Sequence, residues 1–370
     1  MAIYHDIRNR LSKMASSRMR DRVRRTKIDR RRQPGAPPGA DPDVLADVSR
    51  RLLGAPPRSF QHASVSGYKE ATAFIFWMTD AAGKTRRAFF KDVNLAPERY
   101  PAIVGFPGRP GLPEADLFKT PTNDLSAFLP PVYAHAEIEP DVHYQYFLAD
   151  LNATHRWGFR QDDLLDAFDR MLEVSAAISG WMDEHPDNRL IRYDGEFPSR
   201  FVEYARDALG RFHERTGDPR TARLLGRWDE VASLYLSETP ETADDAVHGD
   251  FRRDNMFHDR RDPTRIAVVD WEYGGMGWIH NDLVSLLKMA GHETVTAALG
   301  RLALARPHRS AEEHWRLYQR CRLERGLLDA ALVANQRLAR SDEPTLSNVH
   351  FERVNDAVGL LLGTPAAPIS

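Results

Sequence analysis

The stretch HGDFRRDNMFH, residues 248–258, sets a histidine and two aspartates around two arginines and ends in an asparagine and an apolar pair. Turn chemistry alone accounts for some of it, because Gly, Asp and Asn favour tight turns. MFH and the later RIAVVDW are predicted to form two short strands joined by the turn DRRDPT. Since a hairpin brings its two ends together, we expect Asp250, Asn255 and Asp270 to converge, although they are distant along the chain.

The residue types at these three positions suit a divalent cation. Asparagine and aspartate oxygens are hard ligands of the kind that Mg²⁺ takes together with substrate phosphates. Asn255 and Asp270 are the expected magnesium ligands. Asp250 is then left to accept a proton.

The hairpin is predicted to interrupt a long helical region. From Ser59 to Leu148 the pattern is that of a mostly antiparallel five-stranded sheet, with one helix, LPEADLFKTPTNDL, after the third strand. Beyond Asp150, apolar residues recur at three- and four-residue spacing, as in helices. The expected organisation is an N-terminal extension with a Pro/Gly linker (1–50), a β lobe (51–148) and a helical lobe (149–365).

The pattern His-x-Asp-x-x-x-x-Asn, a hairpin and then an Asp at the strand end resembles the aminoglycoside phosphotransferase and choline kinase-like superfamily. The resemblance covers about residues 55–300 and is strongest at 248–272. It implies an α+β, bilobal protein kinase-like fold with a small antiparallel β N-lobe and a larger, mainly helical C-lobe. It also implies ATP and Mg²⁺ as cofactors, with Asp250 as catalytic base.

The resemblance further implies a lysine on the third strand that grips the nucleotide phosphates, and AFFKDV supplies Lys91. The alternative is an edge-strand lysine in solvent. A family glutamate that orients the lysine is best matched by Glu114, with Glu98 as the competitor. Gly67, in the loop SVSGYKEA, is compatible with a turn that covers the phosphates.

The adenine site is expected at the connection between the lobes. The segment YQYFLADL resembles the family's hinge, so backbone groups of Phe147, Leu148 and Ala149 would meet the adenine edge. A plain buried strand has the same pattern.

Several neighbours of the motif have supporting or open roles. His248 is expected to fix the catalytic loop by hydrogen bonding rather than to transfer protons, and Asp282 to cap the next helix or to brace the loop around Asp250. Arg252 and Arg253 either neutralise an anion or face solvent. Residues 273–278 have the composition of a flexible lip beside the site.

Composition limits the remaining classes. The chain has 370 residues, 42% of them hydrophobic, and one cysteine, so intrachain disulfides and cysteine-based zinc sites are excluded. No apolar run approaches the roughly 20 residues of a membrane span, and the N-terminus lacks the apolar core of a secretory signal, which favours the cytoplasm. Residues 1–32 hold 12 Lys/Arg and 3 Asp/Glu. This segment either binds nucleic acid or an anionic membrane, or packs as a solvated helix or tail.

These patterns together predict transfer of the γ-phosphoryl group of ATP to a hydroxyl of a small molecule. An aminoglycoside, a sugar, or a hydroxyacyl or other natural product each remains open as acceptor, and so do GTP as donor and the oligomeric state. Acidic residues of the helical lobe are a candidate cleft for a cationic acceptor: Asp183, Glu184, Asp187, Asp194, Glu196 and Glu203. The alternatives are a nucleotide-binding pseudokinase that serves as an interaction module and a nucleic-acid-associated protein.

Overall fold

The computed structural model describes residues 32–65, 71–158, 164–262, 264–288, 290–339, 346 and 348–362. Gly67 and most of the basic N-terminal segment lie outside these ranges. The described residues form two compact units. The first runs to Asn94 and includes Pro131–Asp150, and the second comprises Leu95–Pro130 and the chain from Leu151 onward.

The first unit is a six-stranded antiparallel sheet with one helix. The strands are β1 (Gln33–Pro34), β2 (Ser59–Ser64), β3 (Ala71–Thr79), β4 (Thr85–Asn94), β5 (Val132–Glu139) and β6 (His143–Ala149). Their order is β1-β2-β3-β4-β6-β5, so β4 and β6 are interior strands. The helix α1, Pro42–Leu53, begins with Asp41 accepting backbone N–H bonds and ends at Gly54 in the left-handed region.

The core of this unit lies between α1 and one face of the sheet. Phe74, Phe76, Phe90 and Phe147 from three adjacent strands pack there with Leu45 and other residues of α1. Successive side chains of a strand point to opposite faces, so residue 91 lies on the other face from Phe90. That second face carries its own small apolar cluster around Ile75.

The second unit is mainly helical. Its helices are α2 (Leu112–Lys119), α3 (Asn123–Ser126), α4 (Leu164–Glu184), α5 (Phe197–Thr216), α6 (Pro219–Gly226), α7 (Trp228–Ser237), α8 (Ile279–Leu286), α9 (His292–Ala305), α10 (Ala311–Ala339) and α11 (Asn348–Leu361). The chain ends α5 at Gly217 and starts α6 at Asp218, whose carboxylate accepts the N–H groups of Arg220 and Thr221. Among the described residues, no helix has the length and apolar character to cross a bilayer.

Two small three-stranded sheets lie in the second unit. One has the order β11-β10-β7, formed by Ile266–Val268, Met256–Asp259 and His155–Trp157. The other has the order β8-β12-β9, formed by Ile191–Arg192, Gly275–Gly277 and Asp245–Val247. The predicted hairpin is therefore present as β10 and β11, with Met256 opposite Val268.

The structure differs from the expectations in three places. The stretch predicted as a linker contributes β1 and the start of α1, because Gln33 and Pro34 add an edge to β2. Residues 95–130, expected in the β lobe, belong to the second unit. The stretch expected to be a flexible lip contains β12, which pairs on both sides and leads to the buried Trp278.

Candidate active site

The predicted catalytic loop follows β9 and turns at Gly249. This residue has φ of 79°, and a Cβ built on it would lie 2.1 Å from the carbonyl oxygen of Tyr273. Both facts require glycine, since other residues rarely adopt this backbone conformation and none fits the space. The tight turn places His248 and Asp250 on either side of it.

Asp282 of α8 holds the loop through hydrogen bonds to its backbone. Its Oδ2 accepts the N–H of His248 at 2.7 Å, and its Oδ1 accepts those of Gly249 at 2.8 Å and Phe251 at 3.3 Å. Burial raises the pKa of Asp282 to about 7, and the three backbone hydrogen bonds oppose that rise. The expected brace is present, but the expected cap is wrong, because Trp278 occupies the N-cap of α8.

His248 connects the loop to the hairpin. Its side chain is fully buried against the ring of Trp271, with ring centroids 4.5 Å apart. Nε2 lies 3.1 Å from the carbonyl oxygen of Val269, and Nδ1 accepts the N–H of Asp250 at 3.2 Å. Burial lowers the pKa of His248 to about 4, so the ring is neutral at pH 7.

Asp250 is a buried carboxylate between two guanidinium groups. Oδ2 lies 3.0 Å from Nε of Arg252, and Oδ1 lies 3.0 Å from Nη2 of Arg325 on α10. Nδ2 of Asn255 donates to Oδ2 of Asp250 at 3.2 Å and to its backbone oxygen at 3.0 Å. Sequence reasoning missed Arg325, which also pairs with Asp329 at 3.0 Å.

The base of the hairpin brings Asn255 beside Asp270. Asn255 ends a short 3₁₀ turn, Arg253–Asn255, and its backbone oxygen accepts the N–H of Val269 at 2.9 Å. Asp270 follows directly, in the left-handed region at φ of 70°. An aspartate in that region is strained, and strained backbone clusters at functional sites. The predicted neighbourhood of the three polar residues is thus present in the second unit.

Asp270 belongs to a cluster of three carboxylates. One oxygen each from Glu114, Asp270 and Glu272 lies within 4.8 Å of the others. Glu114 is buried on α2, and Oε2 of Glu272 accepts the hydroxyl of Tyr100 at 3.0 Å. Three close carboxylates repel one another unless a cation neutralises them, and their oxygens are the donors that Mg²⁺ prefers. Glu98 is exposed in a turn.

The structure tests only part of what was predicted for the nucleotide-binding residues of the first unit. Lys91 is 3% exposed on the interior strand β4, between Ala73 and Tyr146, so the edge-strand alternative is wrong. Phe147, Leu148 and Ala149 lie on β6 between two strands, and the N–H of Ala149 already donates to Pro131. Their contact with adenine stays a prediction, as does any role of Gly67.

A cavity of about 360 Å³ opens beside Asp250. Helices α8, α9, α10 and α11 and the loop that holds Asp250 supply its walls. The residues lining it include none of the six acidic residues proposed as a cationic acceptor's cleft. Arg252 lines it too, whereas Arg253 packs against Gly158.

The sequence from 129 to 345 matches the model of the phosphotransferase enzyme family abbreviated APH. The chain belongs to this family. It is a phosphotransferase of the small-molecule kinase class with a protein kinase-like fold, as the resemblance at residues 248–272 predicted. No curated protein sequence matches the chain.

Similar solved structures include two aminoglycoside phosphotransferases and LicA. A type VIII aminoglycoside-3'-phosphotransferase is 18% identical, with 78% of this chain and 99% of that chain covered and a TM-score of 0.45. LicA in complex with AMP is 10% identical, covering 87% of this chain and 98% of that one, with a TM-score of 0.47. The phosphotransferase APH(3'')-Id from Streptomyces rimosus, with ADP and streptomycin, is 12% identical over 72% and 94% of the two chains, with a TM-score of 0.37.

Proposed function

We propose that this phosphotransferase moves the γ-phosphoryl group of ATP to a hydroxyl of a small molecule bound in the cavity beside Asp250. The observation that carries the proposal is the placement of that carboxylate. A loop braced by Asp282 and His248 presents it to a 360 Å³ cavity, at the base of the hairpin that carries Asn255 and Asp270. A cavity of this size suits a small ligand.

The transfer exchanges one bond for another. The acceptor oxygen bonds to the γ-phosphorus, the bond from that phosphorus to the β,γ-bridging oxygen breaks, and ADP leaves with the electron pair. The hydroxyl proton passes to the carboxylate of Asp250. Because Arg252 and Arg325 stabilise the negative charge of Asp250, we expect this residue to orient the hydroxyl and to take its proton late, as in a loose transition state.

Lys91 is the proposed contact to the phosphates of ATP. An ammonium group on a flexible chain suits this task. Lys91 is buried on an interior strand, so it is not a lysine that simply faces solvent. The adenine edge is proposed to meet backbone groups of Phe147, Leu148 and Ala149. We propose Glu114 either as the partner that orients Lys91 or as a member of the carboxylate cluster.

The residues present suit one or more magnesium ions. Asp270 and Asn255 are the proposed ligands, and Glu114 and Glu272 add carboxylate oxygens close to Asp270. When bound, Mg²⁺ supplies charge neutralisation to the phosphates. The donation of Nδ2 of Asn255 to Asp250 leaves Oδ1 of this amide as its ligand atom.

An acceptor screen that follows ADP release tests the proposal. Replacing Asp250 by Asn keeps the size but removes the proton acceptor, so we expect turnover to fall about a hundred- to ten-thousand-fold. Asp166→Asn, at an exposed position of α4 and outside the cavity, is the matched control and is expected to keep full activity. Full turnover by D250N would contradict the role of Asp250 as proton acceptor. Nucleotide binding without transfer to any hydroxyl would instead indicate a pseudokinase.

A further inference from the structure

The cavity beside Asp250 has an excess of positive charge. Five cationic side chains line it, and Asp250 is the one carboxylate among its lining residues. The cations are Arg252, Lys288, Arg322, Arg325 and Arg353. They come from the catalytic loop, α10, α11 and the segment after α8, so the excess belongs to no single helix face.

Nearby carboxylates balance only part of this charge. Asp329 on α10 forms ion pairs with three of the cations: Arg325 at 3.0 Å, Arg353 at 2.9 Å and Lys288 at 3.8 Å. Asp250 is shared between Arg252 and Arg325. Among the described residues, the ion pairs of these cations thus involve two carboxylates, and the guanidinium of Arg322 donates to the neutral amide oxygen of Gln319 at 2.8 Å.

The cations also oppose one another's charge. Burial lowers the pKa of Lys288, Asp329 raises it, and Arg325, Arg353 and Arg252 lower it further. Burial likewise lowers the pKa of Arg353, and Arg325 and Arg322 contribute to that decrease. Like charges crowded in a partly buried site are unfavourable, so binding an anion there would relieve the repulsion.

Two buried polar atoms at the cavity also favour the binding of an anion. Nε2 of Gln319 and Oγ of Ser285 are buried and have no hydrogen-bond partner among the described residues. Gln319 is fully buried and Ser285 is 5% exposed, and both line the cavity. An amide N–H and a hydroxyl are donors, and a buried donor without an acceptor costs free energy until a ligand supplies one.

The rest of the wall is apolar and aromatic. Trp315 and Tyr318 of α10 lie there with Val284, Leu287, Val295 and Leu360. Such a wall accommodates a hydrocarbon body but gives a polyhydroxylated, polycationic molecule few acceptors. The cavity thus combines a proton acceptor, a group of cations, two buried donors without a partner among the described residues, and an apolar surface.

Building on the proposed function, we propose that the acceptor is an organic anion. It would carry a carboxylate or phosphate group that the cations around Arg322 bind, an apolar body against Trp315, and the hydroxyl that Asp250 orients. A cationic acceptor such as an aminoglycoside would instead meet like charges.

A series with one carbon skeleton and three charges tests this directly. Phenyllactate, its primary amide and the corresponding amino alcohol each present the same hydroxyl with an anionic, neutral or cationic neighbour. Glycerate and glycerol phosphate distinguish carboxylate from phosphate. We expect calorimetric affinity and ADP release to favour an anion over its amide by at least about tenfold, the scale of one charged hydrogen bond. Equal or better binding of the amide or the amine, or no binding by any of the anions, would overturn the proposal.

A substitution tests whether the cations act on the acceptor or on ATP. Arg322→Gln is expected to raise the KM of the best anionic acceptor about tenfold, with the KM for ATP unchanged. Arg337→Gln, on the same helix but outside the cavity, is the matched control. A change in the KM for ATP alone would assign the charge to the transferred phosphate and overturn the proposal. If R322Q unfolds, Lys288→Met serves as the second variant with the same expected result.

The two proposals fail in different ways. Anion binding by wild-type protein without ADP release from any acceptor would support the cavity's role and contradict phosphoryl transfer. ADP release that depends on Asp250 but occurs only with neutral or cationic acceptors would support the transfer and contradict an anionic acceptor.

Discussion

At position 249 the chain has room for a hydrogen atom and no larger group. Gly249→Ala would place a methyl group 2.1 Å from the carbonyl oxygen of Tyr273 at a φ of 79°. The loop must then move, and because a displacement of about 1 Å in a catalytic group costs on the order of a hundredfold, we expect at least that loss of turnover. Steady-state kinetics measure it.

Gly210 provides the matched control for that substitution. It lies inside α5, and nothing is within 4 Å of the Cβ that would be added. Gly210→Ala is therefore expected to keep activity and to raise the free energy of unfolding by about 0.5–1 kcal/mol. Equal activity of the two variants would show that the tight turn is not needed.

His248 predicts a pH dependence of stability. Its pKa is lowered from 6.5 to about 4 in the folded protein, so the unfolded chain binds a proton more readily between these values. The associated stability is present above pH 6.5 and is lost as the pH falls to about 4, by roughly 3 kcal/mol. Urea unfolding of wild type and His248→Gln measures the difference. We expect the difference in free energy of unfolding between wild type and the variant to become smaller on acidification. A difference that does not change with pH would contradict a neutral, buried histidine.

Short motifs made some of these residues predictable and left others hidden. Asp250, Asn255 and Asp270 were predictable because a hairpin must bring its ends together. Arg325 was not, since it comes 75 positions after Asp250 and reaches it only through the packing of α10. The run CRLERGLL offered a signal, because a charged pair amid buried apolar residues requires partners.

At the level of elements, strand existence was easier to predict than strand order. The strands around residues 59–93 alternate or cluster apolar residues, which indicates β structure locally. The interior position of β6 depends on pairing with β4, and β1 depends on two residues of a Pro/Gly-rich stretch joining an edge. Neither contact has a local signature. The burial of β12 likewise arises from its two neighbouring strands, which the glycine-rich composition concealed.

Helix α10 gives an element-scale prediction. It places Arg325 on Asp250 and Asp329, and although burial would lower the pKa of Arg325, these two carboxylates raise it above its ordinary value. Arg325→Met removes the charge and leaves Asp250 and Asp329 with fewer partners, so we expect about a ten- to hundredfold loss of turnover and a loss of about 3–5 kcal/mol in the free energy of unfolding. Arg316→Met, which breaks only a pair with Glu238 at the surface of the same helix, is expected to change either quantity little. Comparable effects of the two variants would show that Arg325 has no special role.

For the whole molecule, charge is distributed very unevenly along the chain. The basic N-terminal segment carries a balance of +9 within a protein of net charge −2, so the remainder is acidic. Even so, the cavity beside Asp250 is basic. Composition averages over the surface and could not predict this local reversal, which depends on which helices meet at the cavity.

Ligand binding to the folded chain stabilises the whole molecule and so tests the carboxylate cluster. At a hundredfold excess over the dissociation constant, ATP with Mg²⁺ should raise the free energy of unfolding by about 2.7 kcal/mol. We expect Glu114→Gln to remove much of the part that depends on Mg²⁺, because Glu114 lies with Asp270 and Glu272, whereas the exposed Glu98→Gln should keep it. Urea unfolding with ATP, at several Mg²⁺ concentrations, measures that part. A loss in E98Q with none in E114Q would assign the role to Glu98, and no Mg²⁺ dependence in wild type would contradict a metal at this cluster.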